Sequence, residues 1–322
     1  MKYSSNEWDN LKTVIVGTAD YAQVPRVDVS LRTVNYADVP DSSDIKPGHY
    51  PDIVKQEANQ DLETFVQFLQ GEGVNVLRPT HTYPTEYYDY CPRDLVFLSG
   101  EHAIATPMPI HARHDNYKNI KRHIPGLTVA PRCKQYTLFD SRCVGDPDIL
   151  ALTEIAPAFD AANCIRADED ILYLVSNSGN LAGAHYLQET TGLRVHTLQG
   201  VYSYMHIDST IAFLREGLML LNPSRIKSID VLPEPFKSWD HIWCPEPTDI
   251  GYYGDYNNAS VWINMNLFSV NSRLVALEEN QQSLRVELEK HGIECAMLPM
   301  RHQRTLGGGF HCVTLDLERH GN

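Results

Sequence analysis

An internal repeat of helix–glycine–strand joints constrains this chain more than any other feature of its sequence. Residues 62–69 are followed by Gly73-Val74-Asn75-Val76-Leu77, residues 185–187 by Gly192-Leu193-Arg194-Val195-His196, and residues 284–288 by Gly292-Ile293-Glu294-Cys295. Glycine just past a helix supplies a left-handed cap, and apolar residues at every second position after it read as a half-buried strand. The joints also close alike, on Leu77-Arg78-Pro79, Thr197-Leu198 and Met297-Leu298-Pro299. One such joint is common in α/β proteins; three point to a repeated module. Between them lie strand candidates, mostly in pairs, at 11–17, 95–99 with 102–106, 171–175, 211–214 with 218–221, 260–264 and 312–317. Strand pairs separated by helix–strand units predict modules of about ββαβ. A ring of them makes an α/β propeller-like architecture with short, protected edges. Residues 36–51 and 239–258, rich in Asp, Pro and Gly, read as long loops and not as linkers, because periodic signals resume on both sides. We therefore expect one domain over 1–322.

Charge narrows the partners. With 41 acidic and 27 basic side chains, a net charge of −14 repels phosphate backbones and attracts a cationic small molecule. Nucleic acid is not an expected partner. Nor is a membrane, because no stretch approaches the ~18 consecutive apolar residues of a spanning helix. Met1-Lys2-Tyr3-Ser4-Ser5-Asn6-Glu7 contains no apolar leader segment. Seven cysteines, an odd number scattered through the chain, make a poor disulfide framework. A cytosolic, reducing location is the expectation.

Among these cysteines Cys312 is the best nucleophile candidate. It follows Leu306-Gly307-Gly308-Gly309-Phe310-His311, whose glycines let the backbone turn sharply and approach a ligand. The alternating strand after it rules out a dinucleotide fingerprint, which needs a helix there. A thiol attacks only as thiolate, so a base must be near. In Met205-His206-Ile207-Asp208, His206 and Asp208 stand two apart in an apolar neighbourhood, and on a strand they would share a face. A solvated strand edge is the competing reading. Asp160, in Ala158-Phe159-Asp160-Ala161, is flanked by apolar residues and so needs a partner, either a histidine to orient or a helix to cap. Asp94, in Cys91-Pro92-Arg93-Asp94, precedes the apolar run 95–98, at a loop end where sites are built or as an ordinary charged turn. His111-Ala112-Arg113-His114 and His241-Ile242-Trp243-Cys244 have loosely ligand-like spacing but belong to no complete metal set. No metal is expected.

Together these segments resemble the amidinotransferase family, the group containing arginine:glycine amidinotransferase and bacterial enzymes that make guanidino natural products. Five segments carry the likeness in order, nearly end to end: Asn6-Glu7-Trp8-Asp9 with Val14-Ile15-Val16-Gly17, Cys91-Pro92-Arg93-Asp94, Phe159-Asp160-Ala161-Ala162, Met205-His206-Ile207-Asp208, and Leu306 through Cys312. The resemblance implies a five-bladed α/β propeller (pentein-like) with pseudo-fivefold symmetry. It also implies transfer of an amidino group from L-arginine to a primary amine through a covalent amidino-cysteine, releasing ornithine. Carried over by position, the nucleophile is Cys312, the acid–base group His206 and its carboxylate partner Asp160. The guanidinium-binding carboxylates are Asp94 and Asp208. The residues at the donor's α-carboxylate are Arg225 and, on a looser alignment, Ser260.

Acceptor selection falls on Ser203, Met205 and Ala259. Ser203 and Ala259 depart from the glycine enzyme while Met205 agrees, so glycine is allowed but not favoured over a bulkier amine. No cofactor is implied, and a homodimer is implied by relatives. Two rivals stand beside this reading: a hydrolase of the same superfamily giving citrulline, and an arginine-binding module without turnover. A zinc-dependent hydrolase is a more distant third.

Overall fold

In the computed structural model, described over residues 2–321, the three glycine joints end helices as the sequence predicts. Helix Asp52–Gly71 is followed by Gly73 at φ 77°, helix Leu181–Thr191 by Gly192 at φ 72°, and helix Gln282–Lys290 by Gly292 at φ 74°. The first and third stop through the same pair of bonds. Val74 N–H donates to Leu69 O and Gly73 N–H to Gln70 O; Ile293 N–H donates to Leu288 O and Gly292 N–H to Glu289 O. A β-carbon at these positive φ values costs strain that glycine avoids.

Each helix leads into the third strand of a sheet. Among the described residues there are five three-stranded sheets, each an antiparallel pair with a third strand added in parallel. Sheet one joins Thr314–His320, Asn10–Val16 and Asn75–Leu77. Its register pairs Ile15 with Leu315, so both ends of the chain lie in one sheet. Sheet two holds Val96–Ser99, His102–Ala105 and Thr128–Val129. Sheet three holds Cys164–Ala167, Asp170–Leu174 and Arg194–Leu198. Sheet four holds Ile211–Arg215, Leu218–Leu221 and Asp240–Trp243. Sheet five holds Phe268–Asn271, Leu274–Glu278 and Glu294–Leu298. The ββαβ expectation thus holds for sheets one, three and five. In sheets two and four the crossover runs through short 3-10 turns instead, such as His111–Arg113 and Ile229–Val231. A helix-based repeat therefore misses them.

Three expectations need correcting. Segment 239–258 is not all loop, since Asp240–Trp243 is the third strand of sheet four. Only Ile242 of those four residues is buried, which hides the strand pattern. Segment 260–264 is not a strand. It forms the 3-10 helix Val261–Met265, because it occupies the turn that precedes each sheet's first strand, and position overrides the β-propensity of Val, Trp and Ile. The last strand begins at Thr314, leaving Cys312 in the turn before it.

Period-2 alternation then decides the packing, because the strands bury both faces. Val96 and Leu98 join Ile15 and Leu315 in one core, whereas Phe97 joins Ile171 and Tyr173 in another. Leu172 and Leu174 pack with Ile211, Met219 and Leu221, whereas Leu218 and Leu220 pack with Val275 and Leu277. Ala276 and Phe268 join Val14, Val16 and Phe65, which returns the sequence of shared cores to sheet one.

Inside this arrangement lies a buried ionic cluster. Asp316 meets Arg93 at 2.7 Å, Arg166 at 2.8 Å and Arg319 at 2.6 Å, and Glu7 meets Arg166 at 2.7 Å. Burial opposes the charge on Asp316, but the three arginines hold its carboxyl well below the usual range. Paired and hydrogen-bonded, such charges survive desolvation; unpaired they would not. The cluster joins Asn6-Glu7-Trp8-Asp9 to sheets one, two and three beneath the site. No helix among the described residues is long and apolar enough to cross a membrane.

Candidate active site

Each sheet's first strand is preceded by a tight turn, and these turns carry the site. They are the 3-10 helices Pro92–Asp94, Ala161–Asn163, Ile207–Ser209 and Val261–Met265, and the turn over 309–313. Asp94, Asn266 and Cys312 each stand two residues before their strand. His206 and Asp160 are the residues just before two of the turns, and Asp208 lies within one. His206 and Asp208 are therefore not on a strand, as their i, i+2 spacing predicts; an extended residue entering a 3-10 turn brings both to the same cavity instead.

That cavity, of about 410 Å³, is lined by Asp94, Arg113, Met205, His206, Asp208, Arg225, Ala259, Ser260 and Cys312, with Tyr36, Asp38, Tyr202 and Tyr204 among its other walls. Asp160 lies behind, with no exposed surface. It makes no cap hydrogen bond to the turn it starts. Its Oδ2 accepts from His206 Nε2 at 2.8 Å, which decides between the two partnerships left open by the sequence. The other imidazole nitrogen, Nδ1, is 3.7 Å from Asp94 Oδ1. Burial works against a charged imidazole, but Asp94 beside it and the Asp160 hydrogen bond prevail and lift the His206 pKa to about 9.

Cys312 sits at the cavity floor with 2% of its surface exposed. Its thiol donates to Asp208 Oδ2 at 3.1 Å, and the same oxygen lies 3.1 Å from His311 Nδ1. A hydrogen bond with the Cys91 thiol, burial and the Asp208 charge together push the Cys312 pKa well above its ordinary value. Burial opposes ionisation of Asp208 too, yet the His311 hydrogen bond and charge hold its carboxyl well below the usual carboxylate range. In the empty cavity, then, the sulfur is a thiol and the imidazole a cation.

Sequence reasoning did not find Arg113. It is 2% exposed and its guanidinium meets Asp94 Oδ2 at 2.5 Å and Cys91 O at 3.0 Å, between the rings of Tyr87 and Tyr88. Asp94 Oδ1 is left without a hydrogen bond, buried beside the cavity. An orphaned carboxylate oxygen at such a place is poised for a cationic ligand. The only signal in the sequence was the segment 111–114, whose histidines instead pair elsewhere, His111 with Asp28 and His114 with Met108 O.

Arg225 points into the opposite wall. Its Nη1 donates to Ser209 O, Ser209 Oγ and Thr210 Oγ1, each at 2.8 Å, and its guanidinium stacks 3.5 Å from the Tyr202 ring centre. Nη2 reaches Ser260 Oγ at 3.4 Å, so these two residues meet as expected. Met205 and Ala259 line the cavity. Ser203 does not: its carbonyl is pinned by Asn177 N–H, and it lines a neighbouring hollow of about 140 Å³ that shares only Asp38 and Tyr204 with the main cavity. Among the described residues no group of three or more His, Cys, Asp or Glu side chains is gathered as a metal site.

Such an arrangement can hold a planar cation on carboxylates, present sulfur to its central carbon, and deliver or remove a proton. Comparison with known proteins supplies the family. No family model matches the chain. Inosamine-phosphate amidinotransferase 1 of Streptomyces glaucescens is 42% identical over 336 residues, which cover 98% of this chain and 96% of that protein. The chain belongs to the amidinotransferase family. The L-arginine:L-lysine amidinotransferase of Pseudomonas savastanoi pv. phaseolicola is 30% identical, covering 99% of this chain and 94% of that one. Among solved structures, the inosamine-phosphate amidinotransferase of Streptomyces griseus superposes with a TM-score of 0.93 at 39% identity, over 100% of this chain and 98% of the other. As an amidinotransferase the chain is an enzyme of amidino transfer, and its α/β architecture is that of its relatives.

Proposed function

We propose that this amidinotransferase moves the amidino group of L-arginine to a primary amine by a ping-pong route through a covalent amidino-cysteine on Cys312, in the making of a guanidino-containing natural product. The observation that carries the reading is one cavity holding the Cys312 sulfur, the orphaned Asp94 oxygen and a His206 imidazole backed by Asp160. The arginine donor is supported by the name of the lysine-directed relative.

A guanidinium is resonance-stabilised and a poor electrophile, so a thiolate that splits the transfer into two steps is worth having. Asp94 and Asp208 hold the donor's cation by charge-assisted hydrogen bonds, and Arg225 with Ser260 holds its α-carboxylate. The bound cation offsets the Asp208 charge beside the sulfur, and the thiol gives its proton to solvent. Sulfur attacks the guanidinium carbon. The bond from that carbon to the ornithine nitrogen breaks as imidazolium His206 protonates the leaving nitrogen. In the second half, a neutral amine attacks the amidino carbon, neutral His206 takes its proton, and the carbon–sulfur bond breaks to return the thiolate. Acid–base help of this kind is worth roughly 10²–10⁴-fold. Asp160 orients the ring and stabilises its charged form.

Met205 and Ala259 lie where an acceptor would enter, which supports their part in its selection. Ser203 reaches only an acceptor that extends into the adjoining hollow. The same reading takes the five sheets as blades of one closed, five-bladed propeller domain over 1–322 with pseudo-fivefold symmetry, supported by the cyclic sharing of cores. A cytosolic location rests on the odd cysteine count, and a homodimer on family resemblance alone.

The test is a panel of amines, including glycine, lysine and inosamine phosphate, incubated with arginine and enzyme. Ornithine and a new guanidine in equal amounts are expected. Citrulline with ammonia would instead establish the hydrolase, and arginine binding without ornithine release the binding module.

A further inference from the structure

Four of the five pre-strand turns supply groups assigned above, from Asp94, Asp160, His206 with Asp208, and Cys312. The fifth, before Phe268–Asn271, supplies Asn266. It is 2% exposed, and its side chain spends every polar atom on the nucleophile's turn. Oδ1 accepts from His311 N–H at 2.9 Å and from Cys312 N–H at 3.2 Å. Nδ2 lies 3.3 Å from the Cys312 sulfur, with Asp208 O a second acceptor at 3.4 Å. The backbone reinforces the clamp, because Phe310 N–H donates to Asn266 O at 3.1 Å. Gly309 makes room for it: a β-carbon there would stand 2.8 Å from both Asn266 Cβ and Oδ1.

The two backbone donors fix which way the amide faces. Flipping it would set an NH₂ group against two N–H groups and leave a carbonyl oxygen against the sulfur and the Asp208 carbonyl. The group aimed at the sulfur is therefore a donor. Around that sulfur the neighbouring charge is negative, from Asp208 at 3.1 Å, and a thiolate there needs a compensating donor that stays when the substrate leaves.

We propose that Asn266 is a catalytic residue of the transfer: its side-chain amide donates to the Cys312 sulfur and stabilises the thiolate that attacks in the first half-reaction and departs in the second. The resting thiol gives its proton to Asp208 while its sulfur accepts from Asn266. On ionisation the N–H···S contact becomes charge-assisted and strengthens, so its effect is largest where the chemistry needs it. This rests on Cys312 as the nucleophile. The experiment below reads the thiol directly and does not depend on the donor or acceptor.

Alkylation of Cys312 by iodoacetamide, followed against pH in wild type, Asn266→Ala and Asn266→Asp, measures the thiolate fraction. Asn266→Asp keeps an oxygen for the two backbone N–H groups and removes only the donor. Losing a hydrogen bond to a charged atom is expected to raise the thiol pKa by about one to two units, and to slow ornithine release roughly 10- to 100-fold. A folded Asn266→Ala enzyme whose thiol titrates as wild type would overturn the proposal, whatever its turnover. If neither variant folds, the wild-type Asn266 side-chain amide resonance decides. It must shift as Cys312 titrates or is alkylated, and a resonance indifferent to both would equally refute the role.

Discussion

The His206 imidazole is held between two carboxylates, with Asp160 Oδ2 accepting at 2.8 Å from the ring face turned away from solvent. Asp160 has no exposed surface and no second function at its turn, so its carboxylate serves this one ring. Replacing Asp160 with Asn keeps the shape and removes the charge. Turnover should fall by about 10²–10⁴-fold, the range of a lost acid–base group, with the KM for arginine changed far less. Steady-state kinetics check this, and an equal fall in affinity and no fall in kcat would contradict it.

The same pair makes stability depend on pH in a stated direction. The His206 pKa is raised to about 9 in the folded chain, against ~6.5 in an unfolded one. Its contribution is therefore complete below about pH 6.5 and is lost as pH rises through 9. Thermal unfolding of wild type and His206→Gln should differ most near pH 6 and converge above pH 9.5. Nuclear magnetic resonance of the ring should give a titration midpoint near 9.

Arg225 should matter only to donors that carry a carboxylate. Arg225→Ala removes a charge-assisted partner worth about 1.5–3 kcal/mol, so the KM for arginine should rise roughly 10- to 100-fold. Agmatine, which lacks the carboxylate, should be used no worse by the variant than by wild type. Equal losses for both donors would assign Arg225 to packing against Tyr202 instead.

Gly308 is required by space. A β-carbon there would lie 2.5 Å from Cys91 Sγ and 3.2 Å from Cys312 Cβ. Gly308→Ala should destabilise by about 1–3 kcal/mol in chemical unfolding and slow the first half-reaction by displacing the sulfur. Adding Cys91→Ala should recover part of the stability, and no recovery would mean the clash lies elsewhere.

Much of this was legible in the sequence because it rests on local rules. The cap glycines at 73, 192 and 292 mark three of the five modules, and the apolar runs at 95–99 and 218–221 are too short and too uniform for anything but buried strands. Sheets two and four escaped because 3-10 crossovers carry no helical period, and strand Asp240–Trp243 because one buried residue makes no pattern. Cys312, His206, Asp94 and Asp160 stood out as chemically conspicuous types in unusual neighbourhoods. Arg113 and Asn266 did not. Their meaning is set by partners 19 and 46 residues distant, Asp94 and Cys312, and no local spacing encodes such a meeting. Ser203 shows the reverse, a position near the motif in sequence that the backbone turns into the next hollow.

The central claim is that Cys312 becomes covalently amidinated by arginine. Enzyme mixed with guanidino-labelled arginine, quenched in acid without acceptor and digested, should show one labelled amidino group on the peptide bearing Cys312 and none after Cys312→Ala. Label on another cysteine, or none on wild type while ornithine is released, would contradict the account.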